Sequence, residues 1–593
     1  MAILESHSGT GPPSRELVRS IDWRGAFWVA SGVPALVLFS IGGIAGTSGN
    51  VAFLVWMASM CMGFIQSFTY AEIAGLFPNK SGGASVYGAS AWVRYSKLIA
   101  PLSVWCNWLA WTPVLSLGCS IAAAYILNAL GPIPGADSPD VAAWISANAN
   151  SIAADSPRIA EWLAANAGKT SSDAVAALLA QDGVAALTPA FRTWTLAHGT
   201  IGPVSFSLNW TFFIGVALML LTFAIQHRGI LGTANVQKYI ALLVIVPMLI
   251  VGIAPIVTGQ INWDNYSPLV PLKQAYVAET GAWDVGGWTL VLGGMFIAAW
   301  STYAFETAIC YTSEFKDPKT DTFRAIFYSG LLCLVLYTLV PFTFQGVLGL
   351  NGMLEPSIVD GSGVAAAMGK MVGGSGFITN IMVMLMILAL MLSIMTAMAG
   401  SSRTLYQGSV DGWLPRYLSR VNHHGAPTAA MWSDLVFNVG LLAIAAADAT
   451  SFFFILAVSN CCYIIFNFLN LNAGWIHRID NAHVERPWRA PTWILGLGTL
   501  FAFVNAAFMG AGAKVWNPLA LWAGFTAAAL IIPVFLFRHY VQDKGVFPAH
   551  MLEDLNLKPG DLAVKKAGIL PYLTLAAGVA VVLISNWFFQ LPG

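Results

Sequence analysis

The pentapeptide Ala30-Ser31-Gly32-Val33-Pro34 interrupts an apolar run that otherwise extends from 26 to 46. Pro34 removes a backbone donor and collides with the preceding helical turn. Gly32 tolerates an unwound conformation. A helix that restarts at 35 presents free N–H groups and a positive dipole end to the break, which suits a carboxylate. A structural helix kinked at proline uses the same residues.

A second concentration of polarity is Trp300-Ser301-Thr302-Tyr303-Ala304, followed by Phe305-Glu306. It contains no Gly or Pro, so it does not announce a break. Glu306, however, is an ionisable group in an apolar run, and such groups are costly and usually functional or paired. It is a candidate proton carrier, or a tie between neighbouring helices. Glu72 and Asp434 lie nearer the ends of their runs, where a salt bridge or water contact is expected. Trp105, Asn107, Trp108 and Trp111 recur near a spacing of three and share a helical face, either closing around a guest or packing. HExxH, Walker, GxSxG and CxxC motifs are absent, so no enzyme is expected. No metal site or cofactor is expected either. His423 and His424 lack a carboxylate at ligand spacing and read as a solvated loop pair.

These residues must be held by membrane helices. Of 593 residues, 57% are hydrophobic and 9% charged, with a mean hydropathy of +0.69; soluble domains have about 45–50% apolar and about 25% charged residues. Lys+Arg and Asp+Glu are both 28, which leaves no basic footprint for nucleic acid. A soluble enzyme, a disordered chain and a nucleic-acid binder are excluded. Thirteen apolar runs approach the ~20 residues that span hydrocarbon: 26–46, 52–76, 98–129, 207–226, 235–258, 287–312, 325–349, 376–400, 428–447, 452–474, 493–512, 517–537 and 568–589. Each satisfies its backbone as a helix, and the alternation of a membrane barrel is missing. Placing the N-terminus inside puts 22 of the 28 basic residues in inner segments or, for Lys238, at the inner end of a run, and 6 outside, which sets the orientation. The seven cysteines lie in apolar runs and read as small buried hydrophobes. The polar first twenty residues predict no cleaved signal peptide.

The expected organisation is a cytoplasmic tail (1–25), spans one to three (26–130), an outer helical insertion (131–205), spans four and five (206–258), spans six to ten (286–477) and accessory spans (493–593). The insertion is rich in Ala, Ser, Asn and Asp. Its stretch 140–188 is weakly amphipathic, with Trp144, Ile145, Ile152, Ile159, Trp162 and Leu178 as contacts.

Four segments then resemble one family. They are Gly400-Ser401-Ser402-Arg403-Thr404-Leu405-Tyr406 through Asp411-Gly412-Trp413-Leu414-Pro415 to Gly425-Ala426-Pro427; Phe305-Glu306 with Glu314-Phe315-Lys316-Asp317-Pro318 and Arg324-Ala325-Ile326; Phe77-Pro78 with Gly82-Gly83 and Tyr87; and Arg486-Pro487-Trp488-Arg489-Ala490-Pro491. In this order they resemble the loops after spans eight, six, two and ten of amino acid permeases of the amino acid–polyamine–organocation superfamily. The resemblance implies an all-α, LeuT-type 5+5 inverted repeat with two or three further C-terminal helices, 12–13 spans in all. Substrate would sit between broken spans one and six. Backbone N–H groups around Ser31–Pro34 would take a carboxylate, and carbonyls of Trp300, Ser301 and Tyr303 an amino group. Trp300 stands where relatives that resemble arginine–agmatine exchangers cover the guest with an aromatic ring. Ser393 and Thr396 would help hold a sodium ion, although a helical Ser or Thr commonly bonds its own backbone. Val244 aligns with the span-five lysine of some proton-coupled relatives. Ala30 and Ala304 replace glycines of the family pattern, and Pro34 is an addition.

The expected function is secondary active transport of an amino acid or related amine across the cytoplasmic membrane by alternating access. The coupling ion would be a proton or sodium, and the site would comprise residues 30–34 and 300–303 with Trp105, Asn107 and Trp108. Alternatives are a polyamine, nucleobase or organic-cation carrier, and a nutrient sensor signalling through 131–205 or the 538–567 loop.

Overall fold

Long apolar runs leave the backbone no partner but itself, and all thirteen fold as helices. The structure is a computed structural model and describes residues 17–130, 195–374 and 376–592. Span one comprises Trp23–Ala30, Val33–Phe39 and Ile41–Ser48; span two is Ala52–Ala74; span three is Ile99–Trp111 with Pro113–Leu130. Spans four and five are Trp210–Gln226 and Ile230–Val257. Span six comprises Val285–Thr302 and Ala304–Ile309, and span seven is Pro318–Met353. Spans eight to eleven are Gly376–Val410, Thr428–Ala445, Ala449–Asp480 and Thr492–Trp516. Span twelve is Ala520–Ala529 with Ile531–Leu536, and span thirteen is Leu570–Phe588. Among the described residues eleven helices are long and apolar enough to cross a membrane; Trp23–Phe39 and Trp210–Gln226 are shorter apolar helices. The chain is a multi-pass membrane protein.

Capping side chains fix where several spans begin. The carboxylates of Asp22, Asp284 and Asp448 accept from the N–H groups of Gly25, Gly287 and Ser451 at 3.0, 2.7 and 2.7 Å, and the Asn209 amide oxygen accepts from Phe212 at 3.0 Å. Each satisfies a donor that the first helical turn cannot.

The structure departs from the sequence reading in three places. Span eight continues as helix to Val410 rather than ending at 400, and span ten continues to Asp480 rather than 474. Hydropathy misses these turns because their polar residues, among them Ser401, Arg403, Thr404 and His477, are buried by tertiary contacts. The end of the outer insertion is not helical: Thr195–Ile201 and Val204–Asn209 form an antiparallel hairpin that leads into span four. The remainder of that insertion, with residues 131–194 and its six apolar contacts, lies outside the described residues, as do residues 1–16.

Glu72 and Asp434 separate in role. Glu72 is clamped by Arg478 and Arg486, with salt-bridge distances of 2.5 and 3.1 Å, and accepts from the Ala490 N–H. It is a structural tie from span two to the end of span ten and the loop that follows.

Span thirteen packs on span eleven at Gly510, where an added Cβ would overlap the Val582 carbonyl. Small residues at such crossings let membrane helices approach closely. Gly510→Leu should lower thermal stability by about 1–3 kcal/mol, the usual cost of overpacking. An unchanged melting curve would mean that this contact carries no stability.

Candidate functional site

The residues of both suspected breaks are buried and lie against one another. The first α-helical segment of span one ends at Ala30, and a 3₁₀ segment runs from Val33 to Phe39 before the helix resumes at Ile41. Span six ends its α-helix at Thr302 and continues as 3₁₀ from Ala304 to Ile309. The 3₁₀ segment of each span touches the α-helical segment of the other. Span six is thus discontinuous without a Gly or Pro at the change. Tertiary bonds hold it there: Thr302 shares a hydrogen bond with Ser59 at 2.8 Å, and the Tyr303 hydroxyl donates to Asn505 at 3.0 Å.

Gly32 plays a different part from the one its conformational freedom implies. Its φ of −76° and ψ of −16° are ordinary for any residue. A Cβ here would overlap the Leu392 carbonyl and press on Thr396 Oγ1, so the requirement is close approach to span eight.

The carbonyls released by the break in span one are met by side chains. Ser393 Oγ donates to Gly32 O at 2.7 Å and Thr396 Oγ1 to Val29 O at 2.6 Å. Both hydroxyls also lie over their own helix, on Ala389 O and Leu392 O. Tyr337 Oη donates to Val33 O at 2.6 Å. The span-five residue that reaches this point is Gln237, not Val244. Its Nε2 lies 3.2 Å from both Val29 O and Thr396 Oγ1. Sequence reading missed it, although a lone amide within an apolar span is a signal in its own right. On the other side of the break, the N–H groups of Gly32 and Val33 stand at the start of a helical segment, where a segment cannot satisfy its own donors.

At the sixth span the Ser301 hydroxyl is fully buried and has no hydrogen-bond partner. Trp300 donates its indole N–H to Ala110 O at 3.0 Å and to Ser459 Oγ at 2.9 Å, and its ring lies 5.8 Å from Phe39. Phe39 and Ile394 both lie beside Gly118 of span three, so the wall near Trp300 is apolar.

The tryptophan stripe divides. Trp105 donates to Ala527 O of span twelve at 2.8 Å, and Trp108 to Asp434 of span nine at 2.5 Å. Both indoles are thereby tied to neighbouring helices, span twelve for Trp105 and span nine for Trp108. Asn107 and Trp111 face span six instead, with Nδ2 and Nε1 at 3.5 and 3.2 Å from Glu306 Oε1. Asp434 has three donors, Trp108, Thr112 and Ser401. Glu306 has one satisfied oxygen and one with no partner. Among the described residues no cation pairs with either carboxylate.

Both faces of this region are covered. At one end, the loop helix Pro356–Val359 lies against Ile41–Ser48 of span one, with Gly42 packed on the Ile358 carbonyl. At the other end, Arg403 of span eight forms a bidentate ion pair with Glu314, which follows span six, and both are buried. Tyr87 adds bonds to Ile309 O and Thr312 at 2.8 and 2.9 Å. The stretch between spans twelve and thirteen closes over the same face: Lys80 reaches Asp411 and Met551 O, both at 2.8 Å, and Asn79 donates to Asp554 at 2.7 Å. Burial pushes the Asp554 carboxyl up from the ordinary range. A separate cavity of about 320 Å³ opens at the first turn of span five, lined by Arg228, Glu314, His423 and His424 among others.

The chain is also similar in sequence to known proteins. A family model described as amino acid permease matches residues 21–533. The branched-chain amino acid permease BcaP of Lactococcus lactis subsp. cremoris (strain MG1363) is 23% identical over 300 residues, 49% of this chain and 60% of that one. BcaP of Bacillus subtilis (strain 168) is 23% identical over 227 residues, 37% and 42% of the two chains. An uncharacterized transporter of Legionella pneumophila subsp. pneumophila is 27% identical over 135 residues, 23% and 28%. The alignments therefore span less than two thirds of the length of each relative.

Proposed function

We infer the activity from one premise: the chain belongs to the amino acid permease family of the amino acid–polyamine–organocation superfamily. It is a secondary carrier that moves an amino acid across the cytoplasmic membrane by alternating access, with its N-terminus inside. The observation that carries this reading is the reciprocal contact of two discontinuous spans, each 3₁₀ segment against the other's helix. Such breaks are how membrane carriers expose backbone groups to a charged solute at mid-membrane. The donors of Gly32 and Val33 take the carboxylate, and the Ser301 hydroxyl with neighbouring carbonyls takes the amino group.

An apolar side chain fits best. Val33, Phe39, Ile394 and Trp300 line the region, and two relatives carry the name branched-chain amino acid permease. A polyamine would need several carboxylates, and Glu306 is bound on span three's side. Alternating access would rock spans one, two, six and seven against spans three, four, eight and nine, repeating the motion in two inverted halves.

Coupling runs through a proton rather than sodium. A sodium ion would need the oxygens of Val29, Gly32, Ser393 and Thr396 as ligands. Those oxygens are already bridged by hydrogen bonds, and Gln237 adds an amide donor among them. Glu306, with its unpartnered oxygen, carries the proton. Replacing sodium by choline should leave uptake unchanged. Gln237→Ala should cost about 1–2 kcal/mol of stability through two lost hydrogen bonds. Sodium-stimulated uptake by the wild type would refute this coupling.

Thermal stabilisation of the purified chain tests the substrate class. Leucine, isoleucine or valine at a hundred times its dissociation constant should stabilise by about 2.7 kcal/mol. Stabilisation by putrescine or a nucleobase alone would overturn the assignment.

A further inference from the structure

We infer that spans two, three, six, ten and eleven enclose a water-binding chamber through which Glu306 exchanges its proton. The reading of Glu306 as a proton carrier supplies its use, but the chamber stands on its own geometry.

Three pairs of residues, each about one helical turn apart, meet in one buried cluster. Gln66 and Tyr70 are four apart on span two, and Tyr463 and Asn467 four apart on span ten, so each pair shares a helix face. Tyr303 and Glu306 are three apart across a 3₁₀ turn, where side chains eclipse. Asn467 Nδ2 lies 2.8 Å from Gln66 Oε1 and 2.7 Å from Tyr70 Oη. Asn505 of span eleven donates to Asn467 Oδ1 at 3.1 Å and accepts from Tyr303. Trp111 joins the two ends: it donates to Glu306 and meets the Tyr463 ring edge-on at 6.1 Å. Every one of these side chains is buried.

The network is incomplete at three atoms: Gln66 Nε2, Tyr463 Oη and Glu306 Oε2 have no hydrogen-bond partner. Leaving such atoms unpaired in a membrane interior is costly, since no bulk water reaches them. They comprise an amide donor, a phenol that both donates and accepts, and a carboxylate acceptor. That is the set a buried water satisfies, since it typically makes about three hydrogen bonds. The titratable groups facing Glu306 are Tyr70 from span two, Tyr463 from span ten, and Cys310 and Tyr311 from its own stretch; Arg403 and Glu314 lie beyond these last two. The water, as hydronium, gives its proton to Oε2 and takes it back, and no other bond forms or breaks. Tyr463 and Gln66 are positioning residues for that water.

Infrared difference spectroscopy on the full chain in liposomes tests this without any solute, so it fails separately from the transport reading. A pH titration from about 4 to about 10 brackets the carboxyl and histidine ranges. It should show a protonated-carboxyl band that Glu306→Gln removes. The band should shift as soon as D₂O is exchanged, and should move again in Tyr463→Phe and in Gln66→Met, two variants that check each other should one fold poorly. A band that resists D₂O, a band unmoved by both variants, or no Glu306-dependent band would overturn the chamber.

Discussion

Arg403→Ala should be among the most damaging single changes in the molecule, with a loss of about 3–5 kcal/mol of stability, because removing one member of a buried pair strands the other charge. The Arg403 guanidinium makes both bonds to the Glu314 carboxylate, donates to Ala399 O at 3.0 Å and lies over the Tyr311 ring at 5.2 Å. Removing both charges in Arg403→Met with Glu314→Leu should restore most of the loss, since apolar replacements of similar volume are often neutral. The two forms separate stability from gating. The pair ties span eight to the turn after span six, and in the proposed alternating-access cycle it closes that face. Cys310, buried behind it, should become reactive toward a thiol reagent applied to the face that the pair covers in the folded double variant. A double variant as unstable as Arg403→Ala would show that the contribution is packing; a folded one with inert Cys310 would remove the pair from the gate.

Gly32→Val should reduce uptake about a hundredfold, the scale of loss expected when binding groups shift by about 1 Å. The new side chain must push span one off the Leu392 carbonyl, which moves the Gly32 and Val33 donors with it. Overpacking should also cost about 1–3 kcal/mol of stability. Gly440→Ala on span nine, where a Cβ meets nothing within 4 Å, is the matched control and should be silent. Uptake by Gly32→Val within a few-fold of wild type would show that the break does not need this approach to span eight.

The spans were legible because apolar length is a local property. The first break was legible too, since Gly32-Val33-Pro34 carries its own signal. The break at Thr302 was not, because it is maintained by Ser59 and Asn505, which lie far away in sequence. The inner turns of spans eight and ten look like loops for the same reason: their polar residues are buried by partners that composition does not reveal. The tryptophan stripe divides for a geometric reason. At 3.6 residues per turn, steps of three rotate by about 60° each, so Trp105 and Trp111 diverge by about 120°. Trp105 therefore reaches span twelve while Trp111 reaches Glu306. Gln237 is inconspicuous in the sequence because an uncharged amide stands out less than a lysine in an apolar span, yet it does comparable bonding.

Uptake of labelled leucine by liposomes containing the purified chain tests the central claim most directly. Saturable uptake, accelerated by unlabelled leucine on the opposite side and lost in Gly32→Val, is the predicted result. Leucine that stabilises the wild-type protein yet never crosses would contradict it, and would make the chain a sensor rather than a carrier.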